Sequence, residues 1–204
     1  MGNLLGYLFW HRPRQGASRG RYEGKLVTFQ RSLMAHPPDG LIDALSFRLQ
    51  ARPWSKRRSS GYEDWYLVRD FGSLGVLNDA AVANQSKRQH DDVARDATDG
   101  AGGVYKLLTG QLRTREARFS TWIRKPPRTP YPVFLDDVSR LVAGSRTALW
   151  RRQMVLSPAP EFCLHSERRV ELPRRLRPAT LRVQIVGARS GEPFAERAEG
   201  LRGS

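Results

Sequence analysis

The chain has 204 residues with 39% hydrophobic content, enough for one packed domain with extensions or for two small ones. Its 35 Lys+Arg against 20 Asp+Glu give a net charge of +15, an arginine-rich excess that suits an anionic partner such as RNA or DNA. A single cysteine, Cys163, excludes an intrachain disulfide, and the longest apolar run, Leu4 to Trp10, is far short of the roughly 20 residues of a membrane-spanning helix, so a cytoplasmic protein is expected.

The excess charge concentrates at the ends. Residues 1–25 hold five cations and one anion, and 166–204 hold nine arginines against five glutamates. Residues 11–24, rich in Arg and Gly, read as a loop or tail, so 1–24 form a basic N-terminal segment. Residues 25–35 contain Val27, Thr28 and Phe29 and end at Pro37-Pro38-Asp39-Gly40, a turn signal. In 44–52, Leu45, Phe47, Leu49 and Ala51 alternate with polar residues, the period of a half-buried strand. These two stretches are expected to form an extra strand pair at the front.

Residues 62–71 alternate again. Trp65, Leu67, Arg69 and Phe71 share one face, and Tyr66, Val68 and Asp70 the other. A helix is predicted over 74–97, capped by Ser73 and ended by the glycines of 98–103. Residues 104–112 and 117–125 read as a β-hairpin. A second helix is predicted over 133–144, with Phe134, Val138 and Leu141 on one face, and then a strand over 148–156. A last strand is predicted at 180–186, inside a basic C-terminal extension over 166–204. The stretch around Phe29 and Pro37-Pro38 is echoed near Phe119 and Pro126-Pro127, an offset of about 90 residues that is weak evidence of duplication.

From residue 62 to 156 the order is strand, helix, strand, strand, helix, strand. This resembles the ferredoxin-like α+β fold, including proteins that dimerise sheet to sheet as α/β barrels. The resemblance implies a four-stranded antiparallel sheet with both helices on one face, within a single domain over 25–165. The other face must be covered by the front strands, by the C-terminal strand or by a second copy of the chain. It implies no catalytic residues.

No phosphate-binding, nucleophile-elbow or metalloprotease motif occurs, and no cofactor or metal is expected. Glu63 and Asp64 are adjacent on a strand, so only one of them can enter a given site; they fit the strand entrance, offsetting the neighbouring cations. His90-Asp91-Asp92 fan out around a helix and make no ligand set. Cys163 and His165 share a strand face but lie about 7 Å apart at Cβ, too far for a thiolate–imidazole pair. The best binding candidates mix cations with aromatics, since cations track phosphates and rings stack on bases. One group is Arg52, Trp54, Lys56, Arg57, Arg58 and Tyr62; the other is Arg118, Trp122, Arg124, Lys125 and Arg128. The sequence therefore reads as a non-catalytic binder of nucleic acid or another polyanion. The alternative is a dimeric α/β-barrel-like binder or enzyme with an apolar pocket for a small molecule.

Overall fold

The computed structural model describes residues 4–51, 54, 60–83, 86–110, 113–154 and 159–187. The described chain runs β1 (Leu5–Pro13), α1 (Arg19–Ala35), β2 (Leu41–Leu49), β3 (Gly61–Val68), α2 (Phe71–Val82), α3 (Lys87–Asp96) and β4 (Ala97–Gly110). It continues through β5 (Phe119–Ile123), α4 (Tyr131–Leu141), β6 (Thr147–Met154), β7 (Phe162–Ser166) and β8 (Ala179–Ile185). The strands close into one barrel in the order β1-β3-β2-β8-β5-β7-β6-β4, each neighbour antiparallel.

The barrel has two halves of identical strand order. The first half is ordered β4-β1-β3-β2, and the second, taken in the same sense, β8-β5-β7-β6. Two seams join them. In one, Phe47, Arg48 and Leu49 of β2 pair with Ile185, Gln184 and Val183 of β8. In the other, β4 pairs with β6 from Val104 to Gly110. The α+β class is as expected, but 62–156 is not a self-contained four-stranded sheet. It takes β3 and β4 from one half and β5 and β6 from the other. β4 and β5 form no hairpin, because β4 pairs with β1 and β6 while β5 pairs with β7 and β8. The faint echo between Phe29 and Phe119 does not mark equivalent positions: Phe29 lies in α1 and Phe119 in β5, whereas Leu5 and Phe119 begin equivalent strands.

Closure removes the open sheet face that the sequence left to be covered, so a homodimer through that face is not what this chain builds. Its own second half supplies the cover, with β1 drawn from the N-terminal segment and β8 from the C-terminal extension. A closed sheet leaves no unpaired edge. Strand β3 shows the consequence: all eight of its residues are buried, because one face lines the barrel and the other lies under helices.

Residues 19–35 form a helix, not the expected tail and front strand. Tyr22, Leu26, Phe29 and Leu33 repeat at helical spacing and are buried. Phe29 and Leu33 pack with Leu41, Tyr66 and Val68, and Tyr22 and Leu26 with Tyr62 and Val186, on the outside of the first half. The predicted 74–97 helix is two helices. The carboxylate of Asp70, not Ser73, caps α2, accepting from the Ser73 backbone N–H at 2.8 Å. The glycines of 98–103 belong to β4, not to a turn. A side chain at Gly100 would stand 2.8 Å from the ring of Phe9, so glycine there admits an aromatic neighbour. On the second half, Phe134 and Val138 of α4 cover Ile123, Leu149, Phe162 and Leu164. Among the described residues no helix is long and apolar enough to cross a membrane.

Candidate functional site in the barrel interior

Alternation decides what enters the barrel. On β1, Leu8 and Trp10 point inward; on β3, Glu63, Trp65 and Leu67 do. Phe47, Tyr105, Trp122, Trp150 and Cys163 join them from β2, β4, β5, β6 and β7. All five tryptophans of the chain lie in this cluster or pack against it, Trp54 being the partly buried one. Their rings form two contiguous groups. Trp54 and Trp122 are 4.8 Å apart between centroids and Trp10 and Trp122 5.7 Å, while Trp65 lies 5.1 Å from Trp150 and 4.5 Å from His165.

Glu63 lies where the two groups meet. It is fully buried, and each carboxylate oxygen accepts one indole N–H: Oε2 from Trp10 at 2.7 Å and Oε1 from Trp65 at 2.5 Å. Burial raises its pKa from 4.5 to about 7; the two indole bonds pull it down, and the charge of Asp64 adds a smaller upward push. The result is a carboxyl that titrates near neutral pH inside an apolar, aromatic interior.

Three further polar groups face this interior without a hydrogen-bond partner among the described residues. They are the indole N–H groups of Trp122 and Trp150 and the imidazole of His165, both of whose nitrogens are buried and unpaired. Burial lowers the His165 pKa to about 3, so its ring is neutral at physiological pH. Cys163 does not pair with it; its sulfur lies 3.3 Å from Ser120 Oγ, and burial raises the thiol's pKa.

Asp64 points the other way, into the layer between barrel and α1. His11 Nε2 lies 3.0 Å from Asp64 Oδ2, and Tyr22 Oη lies 2.7 Å from His11 Nδ1. If Tyr22 donates to Nδ1, the His11 Nε2–H donates to Asp64. Ser46 donates to the other Asp64 oxygen and is itself bonded by Gln30 at 2.5 Å, while the Tyr66 hydroxyl donates at 3.4 Å. This network joins β1, β2 and β3 to α1. Burial, reinforced by the Asp64 charge, raises the pKa of Tyr22.

The structure divides the described members of the two basic–aromatic groups between interior and surface. Trp122 is fully buried in the barrel, and Tyr62 is buried against α1, donating to Glu23 at 2.9 Å. Lys125 is folded back, donating to the Thr129 carbonyl at 2.7 Å with its ammonium 5.0 Å from the Tyr131 ring centroid. Arg118, Arg124 and Arg128 are exposed. Arg52, Lys56, Arg57 and Arg58 lie outside the described residues. Trp10, His11 and Tyr22 were not singled out by the sequence; alternation in "LLGYLFW" was the available signal for the first. Among the described residues no group of three His, Cys, Asp or Glu side chains could hold a metal ion.

No family model and no curated protein sequence matches the chain. Solved structures do. A candidate monooxygenase of Fusobacterium nucleatum superposes with a TM-score of 0.59 at 8% identity, over 91% of this chain and 93% of that one. A candidate chlorite dismutase gives 0.52 at 13% identity, over 90% and 96%. An anthrone oxidase-like protein gives 0.52 at 13% identity, over 96% of both chains. Identities this low establish likeness of fold. The nucleic-acid expectation is thus corrected on two grounds: the rings of Trp122 and Tyr62 are buried, and the structures sharing this fold are named as monooxygenase, chlorite dismutase and anthrone oxidase-like proteins. The chain is an α+β protein whose structural neighbours are α/β-barrel proteins of that kind.

Proposed function

We propose that the barrel interior binds an uncharged aromatic small molecule and that Glu63 exchanges a proton with it. The observation that carries this reading is the buried Glu63 carboxyl, held between two indole N–H groups in a barrel interior rich in tryptophan. Indole walls favour a flat, apolar ligand through burial and offset or edge-on ring contacts. A carboxyl with a pKa of about 7 is half ionised at neutral pH, the condition under which a general base both accepts and returns a proton readily. The Trp10 and Trp65 N–H groups fix the carboxylate's orientation and support its charged form, which then takes a proton from a ligand O–H or an acidic C–H. The names of the three structural neighbours, all describing chemistry on small molecules, support the same reading.

The test is exchange of the α-protons of 2-tetralone in D2O, followed by NMR. The protein is expected to accelerate exchange, and Glu63→Gln to lose about 100-fold or more of that acceleration while remaining folded. Background exchange with the wild type, or equal exchange by Glu63→Gln, would refute the assignment.

A further inference from the structure

Resting on the small-molecule reading above, we infer that His165, with the Trp150 indole, selects a ligand carrying an uncharged hydrogen-bonding group, a hydroxyl or a carboxamide. His165 enters the barrel from β7, where it pairs with Ser120 of β5 and Ala148 of β6. Its ring meets Phe47 edge-on at 5.6 Å, Trp65 at 4.5 Å and Trp150 at 6.2 Å, so three sides of this corner are aromatic. Both its nitrogens and the Trp150 Nε1 are buried and have no hydrogen-bond partner among the described residues.

Such groups are costly. An unpaired buried donor or acceptor loses its hydration with nothing in exchange, and apolar residues of similar shape would fill the same corner without that loss. By contrast, the Asp64 network packed on the outer face of the same sheet has a partner for each of its polar side chains. Unpaired polarity at this corner is what a site that completes its hydrogen bonds with a ligand would show.

The chemistry of the pair narrows the ligand. The indole can only donate. A neutral imidazole offers one donor and one acceptor. Together they match a group that both accepts and donates, as a hydroxyl or a primary carboxamide does. A carboxylate is disfavoured twice. It would face the imidazole's lone pair, and it would share the barrel with Glu63, another buried acid. His165 is here a specificity residue; proton exchange stays with Glu63.

The test is a set of fluorescence titrations with naphthalene, 2-naphthol and 2-naphthoate, on wild type and His165→Leu. Wild type is expected to bind 2-naphthol about tenfold or more tighter than naphthalene and to bind 2-naphthoate weakest. His165→Leu is expected to bind naphthalene and 2-naphthol equally and to melt at a higher temperature than wild type. If wild type binds none of the three, the small-molecule reading itself fails. If wild type binds naphthalene and 2-naphthol equally, or His165→Leu keeps the preference, or 2-naphthoate binds tightest, this inference fails while the barrel site stands. A second measurement avoids dependence on a variant: the 15N shifts of the two His165 ring nitrogens in wild type. They are expected to change on saturation with 2-naphthol and not with naphthalene; unchanged shifts with bound 2-naphthol would overturn the inference.

Discussion

Glu63 and Asp64 are neighbours in sequence, both buried, yet they sit in opposite kinds of surroundings. Asp64, under α1, is met by His11, Ser46 and Tyr66, and its network extends to Tyr22 and Gln30. Glu63, inside the barrel, is held by two indoles, in an interior where His165, Trp122 and Trp150 leave polar atoms without a partner among the described residues. A saturated network fixes one arrangement of helix and sheet. An unsaturated one leaves bonding capacity for a molecule that arrives later. The strand's two faces thus separate what holds the fold from what the fold holds.

The largest expected effect falls on the saturated face. Asp64→Ala strips His11 and Ser46 of their shared acceptor at a site without water access and should cost about 3–5 kcal/mol in denaturant unfolding. A loss of under 1 kcal/mol would mean that this network does not anchor α1.

Glu63 makes the next prediction through pH. In the folded chain this carboxyl keeps its proton up to about pH 7, whereas the unfolded chain releases it near 4.5. Between these values the native state binds more protons, so Glu63 makes stability fall as pH rises from about 4.5 to about 7, with no further change above. The span corresponds to about 3 kcal/mol. The difference between wild-type and Glu63→Gln unfolding free energies, measured across this window, should show that slope. A flat difference would contradict a raised Glu63.

A finer contrast lies within the interior. Trp10→Phe removes a bonded indole and leaves one Glu63 oxygen without its donor, whereas Trp122→Phe removes an indole whose N–H is unpaired. Trp10→Phe should cost about 1–3 kcal/mol more than Trp122→Phe, for a similar loss of ring area. Equal costs would show that the Trp10–Glu63 bond contributes little. The smallest effect is expected outside both regions: Arg118→Ala and Arg124→Ala, at exposed positions, should leave unfolding and ligand binding within experimental error.

Much of this contrast was legible in the sequence, and the rest was not for identifiable reasons. Alternation in β3 shows that Glu63 and Asp64 face opposite ways, but not which side is the barrel, because both sides are buried. The stripe Tyr22, Leu26, Phe29 and Leu33 marks α1, yet counting from Lys25 cuts off its first turn and leaves β-favouring Val27, Thr28 and Phe29. In β4, glycines that admit Phe9 and Tyr7 carry the same local signal as glycines of a turn. Barrel closure rests on pairing β2 with β8 and β4 with β6, contacts between distant segments that leave no local trace. A sheet face that looked open from 62–156 therefore invited a partner that the chain already contains. The cationic groups misled because tryptophan and tyrosine beside arginine read alike at a surface and in a core.

The most direct test of the account is a crystal structure of the protein soaked with 6-bromo-2-naphthol, with the bromine located by anomalous scattering. The account predicts one bromine peak inside the barrel and the ligand ring among the interior tryptophans. Bromine bound only on the outer surface, with the interior side chains unmoved, would contradict it.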